Sequence, residues 1–162
     1  MPMDETLKAL IDAEHGAAVI VAGSDSDKPH IEKIAAALRQ YGVPYEVRIL
    51  SAHKQVSEDQ TKNFIREYLE FADYPLVFIA VAAGTDALSG MLSFNLPFPV
   101  ISCAPDATPT APNISCLANP PGSSNACIIR PANVGRFVAQ MFAWRNHAIA
   151  QQLEQEKTMK VL

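Results

Sequence analysis

The sequence predicts an α/β domain built on an open parallel sheet with helices on both faces, and three observations carry that prediction. Residues 17–22 and 76–83 are short runs that stay apolar throughout, as strands do when both faces of a parallel sheet are covered. Between such runs apolar residues recur at helical spacing. Strand and helix signals then alternate along the chain, which is the pattern of a parallel sheet with crossover helices.

Residues 17–22, AAVIVA, form the first strand. Ile31, Ile34, Ala35 and Leu38 mark one face of the helix that follows; Pro29 suits its first turn and Gly42 ends it. Residues 45–50 supply the second strand. Ser57-x-x-Gln60 resembles a capping box, and Thr61, Phe64, Ile65 and Tyr68 continue as a stripe down a second helix. The third strand is 76–83, a short helix spans 86–94, and residues 99–103 and 125–130 give two further strands. A final helix is expected over 133–153. This order points to a flavodoxin-like sheet inside a three-layer αβα sandwich.

Two segments exceed a minimal version of that fold. Seven of the 12 prolines fall between Pro97 and Pro121, and residues 104–123 are long for a connection in a compact domain, so they are read as a lid or an interface arm. In the last helix Val134, Phe137, Val138, Met141, Phe142, Trp144 and Ile149 do not form one narrow stripe. Either one face packs outside its own subunit, so that the C-terminal helix extends into an oligomer, or Trp144 caps the domain core.

A chain of 162 residues with 49% hydrophobic and 19% charged residues has the size and composition of one globular domain. The expected division is a single domain over 1–162, with an N-terminal extension at 1–16, an α/β core at 17–131 and a C-terminal helix and tail at 132–162. Net charge is −4, which argues against a nucleic-acid or membrane-surface partner. No apolar run approaches the ~20 residues of a membrane-spanning helix, and Asp4 with Glu5 spoils a signal-peptide start. A soluble, cytoplasmic protein is expected. Cys103, Cys116 and Cys127 are odd in number and lack paired C-x-x-C spacing, so they read as reduced, partly buried thiols rather than zinc ligands.

Ligands of open α/β sheets bind outside the carboxyl ends of the strands. Three polar clusters occupy that edge: Gly23-Ser24-Asp25-Ser26-Asp27 after strand one, Ser51-Ala52-His53-Lys54 after strand two, and Ala83-Gly84-Thr85-Asp86 after strand three. The first leads into a helix N-terminus, where free N–H groups favour a phosphate and Ser24 and Ser26 add hydroxyls. It has neither nucleotide-binding glycine signature. Asp27 would accept from ribose hydroxyls; alternatively the loop only turns the chain and caps the next helix.

In the second cluster His53 is able to carry a proton near neutral pH, with the Ser51 hydroxyl and the Lys54 ammonium beside it. Together they suggest proton transfer on a phosphorylated small molecule. His15, His30 and His147 are read as structural or exposed. Gly84 and Thr85 would let backbone N–H groups approach a carboxylate or carbon dioxide, while Asp86 reads as a favourable charge at a helix start.

These motifs, with Phe78-Ile79-Ala80-Val81-Ala82, Leu88-Ser89-Gly90-Met91, Pro99-Val100-Ile101-Ser102-Cys103 and Pro121-Gly122, resemble the PurE family of purine biosynthesis, from residue 17 to residue 147. The resemblance implies carboxylation of 5-aminoimidazole ribonucleotide to its 4-carboxylate. Lys54 and Ala87 resemble the class that uses carbon dioxide; the alternative within the family is the mutase that moves a carboxylate from the N5-carboxyamino form. The resemblance further implies a homo-octamer, no metal and no organic cofactor. By position, Ser24, Ser51 and Lys54 would hold phosphate, Ser26 would support the loop, Asp27 would meet the ribose and His53 would be the general acid/base. Ala83, Gly84 and Thr85 would hold the carbon dioxide or nascent carboxylate through backbone amides.

The chain departs from the carbon dioxide class in two places. Ala82-Ala83-Gly84-Thr85-Asp86 stands where that class reads Ala-Gly-Arg-Ser-Asn, and Pro112 and Ala118 stand where it tends to have an acid and an arginine. A non-catalytic phosphoribosyl-ligand binding paralogue is the alternative of another class. A flavodoxin-type flavin carrier, which would be yellow as purified, is a third.

Overall fold

Six consecutive buried residues, Ala17–Ala22, form strand β1 at the heart of a five-stranded parallel sheet ordered β2-β1-β3-β4-β5. The computed structural model describes residues 15–50 and 58–161, together with Glu5, Lys8 and Ala9. β2 is Tyr45–Ile49, β3 Leu76–Val81, β4 Val100–Ser102 and β5 Asn125–Cys127. β1 pairs with β2 from Ala18 opposite Tyr45 and with β3 from Ala17 opposite Leu76. The helices are α1 Lys28–Gln40, α2 Glu58–Leu69, α3 Ala87–Asn95, α4 Pro131–Phe142 and α5 His147–Val161. The predicted flavodoxin-like sandwich is therefore the fold observed.

Because successive strand side chains face opposite ways, β1 feeds two cores. Val19 and Val21 meet Phe64 and Tyr68 of α2, Phe78, and Leu88 and Leu92 of α3. Ala18 and Ile20 meet Ile34 and Leu38 of α1, Val134, Val138 and Phe142 of α4, and Ile149 of α5. The helical stripe at Ile31, Ile34, Ala35 and Leu38 is buried as its spacing predicts. Gly42, at φ +70°, lets the chain turn out of α1 and into β2.

Three expectations change. Four of the five strands end one to three residues earlier than predicted, at Ile49, Val81, Ser102 and Cys127, although the Leu50, Cys103 and Ile128 N–H groups still donate to the neighbouring strands' Ala22, Ala80 and Ser102 carbonyls. The helix expected over 133–153 is two helices, broken at residues 143–146, where Asn146 accepts from the Ile149 N–H at 3.3 Å and so starts a new helix. Trp144 does not cap the core, since it sits in that break at 79% exposure. The capping-box residue Ser57 lies outside the described residues. Cys103, Cys116 and Cys127 are free thiols, two of them buried, and among the described residues no helix is long and apolar enough to cross a membrane.

Candidate functional site

The loops after β1, β2 and β3 begin side by side. The Gly23 N–H donates to the Val81 carbonyl at 2.9 Å and the Leu50 N–H to the Ala22 carbonyl at 2.8 Å, so all three strand exits are tied to the same edge. The sheet order puts β2 and β3 on either side of β1. Leu50, at the exit of β2, therefore lies beside the start of the first polar loop. Ser51, His53 and Lys54 themselves lie outside the described residues.

In the first loop Ser24 has an extended backbone, φ −156° and ψ 149°. Its Oγ accepts from the Ser26 N–H at 3.3 Å and from the Ser26 hydroxyl at 2.9 Å. Accepting both contacts leaves the Ser24 hydroxyl proton without a partner inside the loop. Asp25 pairs with Lys28 at 3.5 Å on the open surface, so the two aspartates part company: Asp25 faces a lysine, whereas Asp27 precedes α1 without a side-chain capping bond. A single turn, Asp25–Asp27, connects the loop to α1 with Pro29 in its first turn.

The third loop is exposed at Ala83, Gly84 and Thr85 and buried at Asp86. Gly84 sits at φ +70°, a conformation that L side chains seldom adopt. Asp86 caps α3 by accepting from the Ser89 N–H at 2.9 Å, and the Ser102 hydroxyl of β4 donates to its second oxygen. At 2% exposure it is a buried, fully engaged carboxylate. Read from sequence as a favourable charge at a helix start, it is the cap of that helix, and it also joins α3 to β4. Changing Asp86 to Ala strands the buried Ser102 hydroxyl and removes the cap, with an expected loss of about 2–3 kcal/mol, read from urea unfolding midpoints.

The proline-rich segment closes over this loop with residues that sequence reasoning did not assign. Asp106 Oδ2 accepts from the Gly84 N–H at 2.9 Å. Asn113 Nδ2 donates to the Gly84 carbonyl and to Asp106 Oδ1, both at 2.9 Å. The Ser115 hydroxyl lies 3.2 Å from the Gly84 carbonyl and accepts from the Asp86 N–H at 2.9 Å. The Asn113 amide holds the Asp106 carboxyl below the usual carboxylate range; desolvation opposes it, and the Gly84 N–H adds a smaller lowering. The signal for these residues was the unusual length of the connection, which in a compact domain marks a functional loop.

His30, on the first turn of α1, places Nε2 3.1 Å from the Cys103 carbonyl and 3.3 Å from its sulfur, tying α1 to the end of β4. Desolvation lowers its pKa, partly offset by the Cys103 carbonyl, and burial pushes the Cys103 thiol up to about 12. Both are structural groups. His15 and His147 are exposed.

Comparison with known proteins matches this architecture to one family. The AIR carboxylase family profile fits residues 17–161. A phosphoribosylaminoimidazole carboxylase of Treponema denticola is 35% identical over 134 residues, covering 82% of each chain. One from Archaeoglobus fulgidus is 34% identical over 140 residues, covering 85% of this chain and 75% of its own. A bifunctional phosphoribosylaminoimidazole carboxylase/phosphoribosylaminoimidazole succinocarboxamide synthetase of Rattus norvegicus is 38% identical over 141 residues, but this chain spans only 32% of its length. A crystal structure of Treponema denticola PurE superposes with a TM-score of 0.76 at 28% identity, over 90% of this chain and 92% of that one. The matched span takes in all five strands and all five helices named above, and on that footing the chain belongs to the AIR carboxylase family.

Proposed function

We propose that this protein carboxylates 5-aminoimidazole ribonucleotide with carbon dioxide, giving 4-carboxy-5-aminoimidazole ribonucleotide in purine biosynthesis. The observation that carries the reading is the near whole-length match to chains named phosphoribosylaminoimidazole carboxylase. Aminoimidazole is an enamine-like nucleophile, so its ring carbon attacks carbon dioxide directly and one C–C bond forms. That carbon then bears both the new carboxylate and its original hydrogen. Neutral His53 removes the proton, the C–H electron pair returns to the ring, and aromaticity is restored. In the reverse direction the imidazolium delivers the proton and carbon dioxide leaves.

Ser24, Ser51 and Lys54 hold the phosphate, Ser26 fixes the first loop, Asp27 receives the ribose hydroxyls, and the amides of residues 83–85 take the carboxylate. The Ser24–Ser26 hydroxyl pair, the Asp27 side chain that makes no capping bond and the exposed Gly84 turn support these roles. We further propose a cytoplasmic homo-octamer, supported by the exposure of Phe94, Leu117 and Trp144 at 65%, 65% and 79%. Light scattering that reads a monomer mass would remove the octamer.

The test of the reaction is incubation with 5-aminoimidazole ribonucleotide and bicarbonate, without ATP. Appearance of the 4-carboxylated nucleotide is expected. Turnover only of the N5-carboxyamino nucleotide would make the chain a mutase, and turnover of neither would sink the enzymatic reading.

A further inference from the structure

The Gly84 N–H is the donor that the proposed reaction would aim at a carboxylate, and a carboxylate already sits on it. Asp106 Oδ2 is 2.9 Å from Gly84 N, while its other oxygen takes the Asn113 amide at 2.9 Å. This is the arrangement a bound anion would have at that amide. Asp106 is exposed rather than part of the packed core. A Cβ built on Gly84 would meet no atom within 4 Å, which leaves open space beside the amide. Asn113 holds the Gly84 carbonyl, and Ser115, whose hydroxyl lies 2.7 Å from Asn113 Oδ1 and 3.2 Å from that carbonyl, accepts from the Asp86 N–H. Departure of Asp106 would therefore leave the turn anchored on its other side.

Resting on the carboxylase reading above, we propose that Asp106 is a built-in competitor for the carboxylate position: its side chain occupies the Gly84 amide in the empty site and is displaced by the carboxylate of the 4-carboxylated nucleotide. Two carboxylates cannot share one N–H, and at contact distance their charges repel. Carbon dioxide is neutral and carries no such conflict. Asp106 thus weakens retention of the carboxylated nucleotide without opposing entry of the uncarboxylated one, and its return to the amide assists release. It is a specificity-determining residue rather than a catalytic one, since it acts on the relative affinity of the two nucleotides.

The test compares dissociation constants of both nucleotides by calorimetry for the unaltered protein, Asp106→Asn and Asp106→Ala. Removing the charge should tighten the 4-carboxylated nucleotide by about five- to tenfold, as expected for one charge-assisted hydrogen bond no longer in competition, and leave 5-aminoimidazole ribonucleotide within about twofold. Equal weakening of both nucleotides in both variants would mean that Asp106 only holds the loop, and unchanged affinities would mean that it does not compete; either result overturns the proposal. If the unaltered protein binds neither nucleotide, the carboxylase reading itself has failed. The self-occupied amide is then read separately, by titrating sodium acetate against the Gly84 ¹⁵N–¹H resonance. A shift in Asp106→Asn that is absent from the unaltered protein supports Asp106 as the occupant, and the same response in both overturns it.

Discussion

Replacing His53 with Asn is expected to lower carboxylation of 5-aminoimidazole ribonucleotide by about 10²- to 10⁴-fold, the usual contribution of a positioned general acid/base. Asn keeps a polar side chain of similar reach but takes up no proton in the neutral range. On the proposed reaction, carbon–carbon bond formation leaves a hydrogen on the ring carbon, and only its removal makes the step productive. The loss should therefore fall on kcat, while the affinity for the nucleotide, set by the phosphate and ribose contacts, stays within about twofold. Calorimetry on the variant separates the two effects. Turnover that survives intact removes His53 from the mechanism, and loss of binding in step with turnover makes it a binding residue instead.

A steady-state assay of Lys54→Ala beside this variant separates the roles within one four-residue cluster. An ammonium assigned to phosphate acts on the ground state and the transition state alike, so its removal should raise KM with kcat nearly kept. The contrast matters because His53 and Lys54 are adjacent in sequence. A general disturbance of the loop would move both parameters for both substitutions.

The sheet was legible because its signals are local and redundant. The runs at 17–22 and 76–83 are apolar on both faces, the buried state of a central strand leaves no alternation to misread, and the α1 stripe survives intact. The break in the C-terminal helix was not legible, because the residues on either side continue an apolar pattern and the change of direction depends on a cap that Asn146 forms with Ile149. An asparagine inside a helical pattern is ambiguous between a tolerated surface residue and a cap. Only the docking of Phe142 and Ile149 into the same core decides it.

The edge of the sheet as the candidate site was equally readable, since it follows from strand order and from where the polar clusters fall. What could not be read is the closure of residues 104–123 over Gly84. Asp106, Asn113 and Ser115 reach it across sequence separations that no periodicity reports, from a proline-rich segment whose regular structure is limited to a 3₁₀ turn at Ser115–Ala118. The two central features of that contact, an exposed Gly84 amide and a carboxylate upon it, come from different strand exits and meet only in three dimensions. Asp86 shows the opposite case: its capping role is local and was foreseeable, while its partnership with Ser102 is not.

Changing Gly135 to Ala is expected to cost about 3 kcal/mol or more of unfolding free energy, at the upper end of overpacking substitutions. α1 and α4 cross at this glycine on one face of the sheet. A Cβ there would stand 2.5 Å from Ala37 Cβ, 2.6 Å from its carbonyl carbon and 2.7 Å from its carbonyl oxygen. Gly135 is helical and buried, so Ala would ordinarily be the better helix former by ~1 kcal/mol; the contact overrides that preference because two of the three atoms are backbone and have no rotamer in which to retreat. The helices must separate, and Val134, Val138 and Phe142 move with α4 out of the core they share with Ile34 and Leu38. Adding Ala37→Gly removes the closest of the three atoms but not the carbonyl carbon and oxygen, so the double variant should recover only part of the lost stability. Full recovery in chemical denaturation would mean that the Cβ–Cβ contact alone sets the spacing, and an unchanged midpoint in Gly135→Ala would mean that the two helices are not held at this distance.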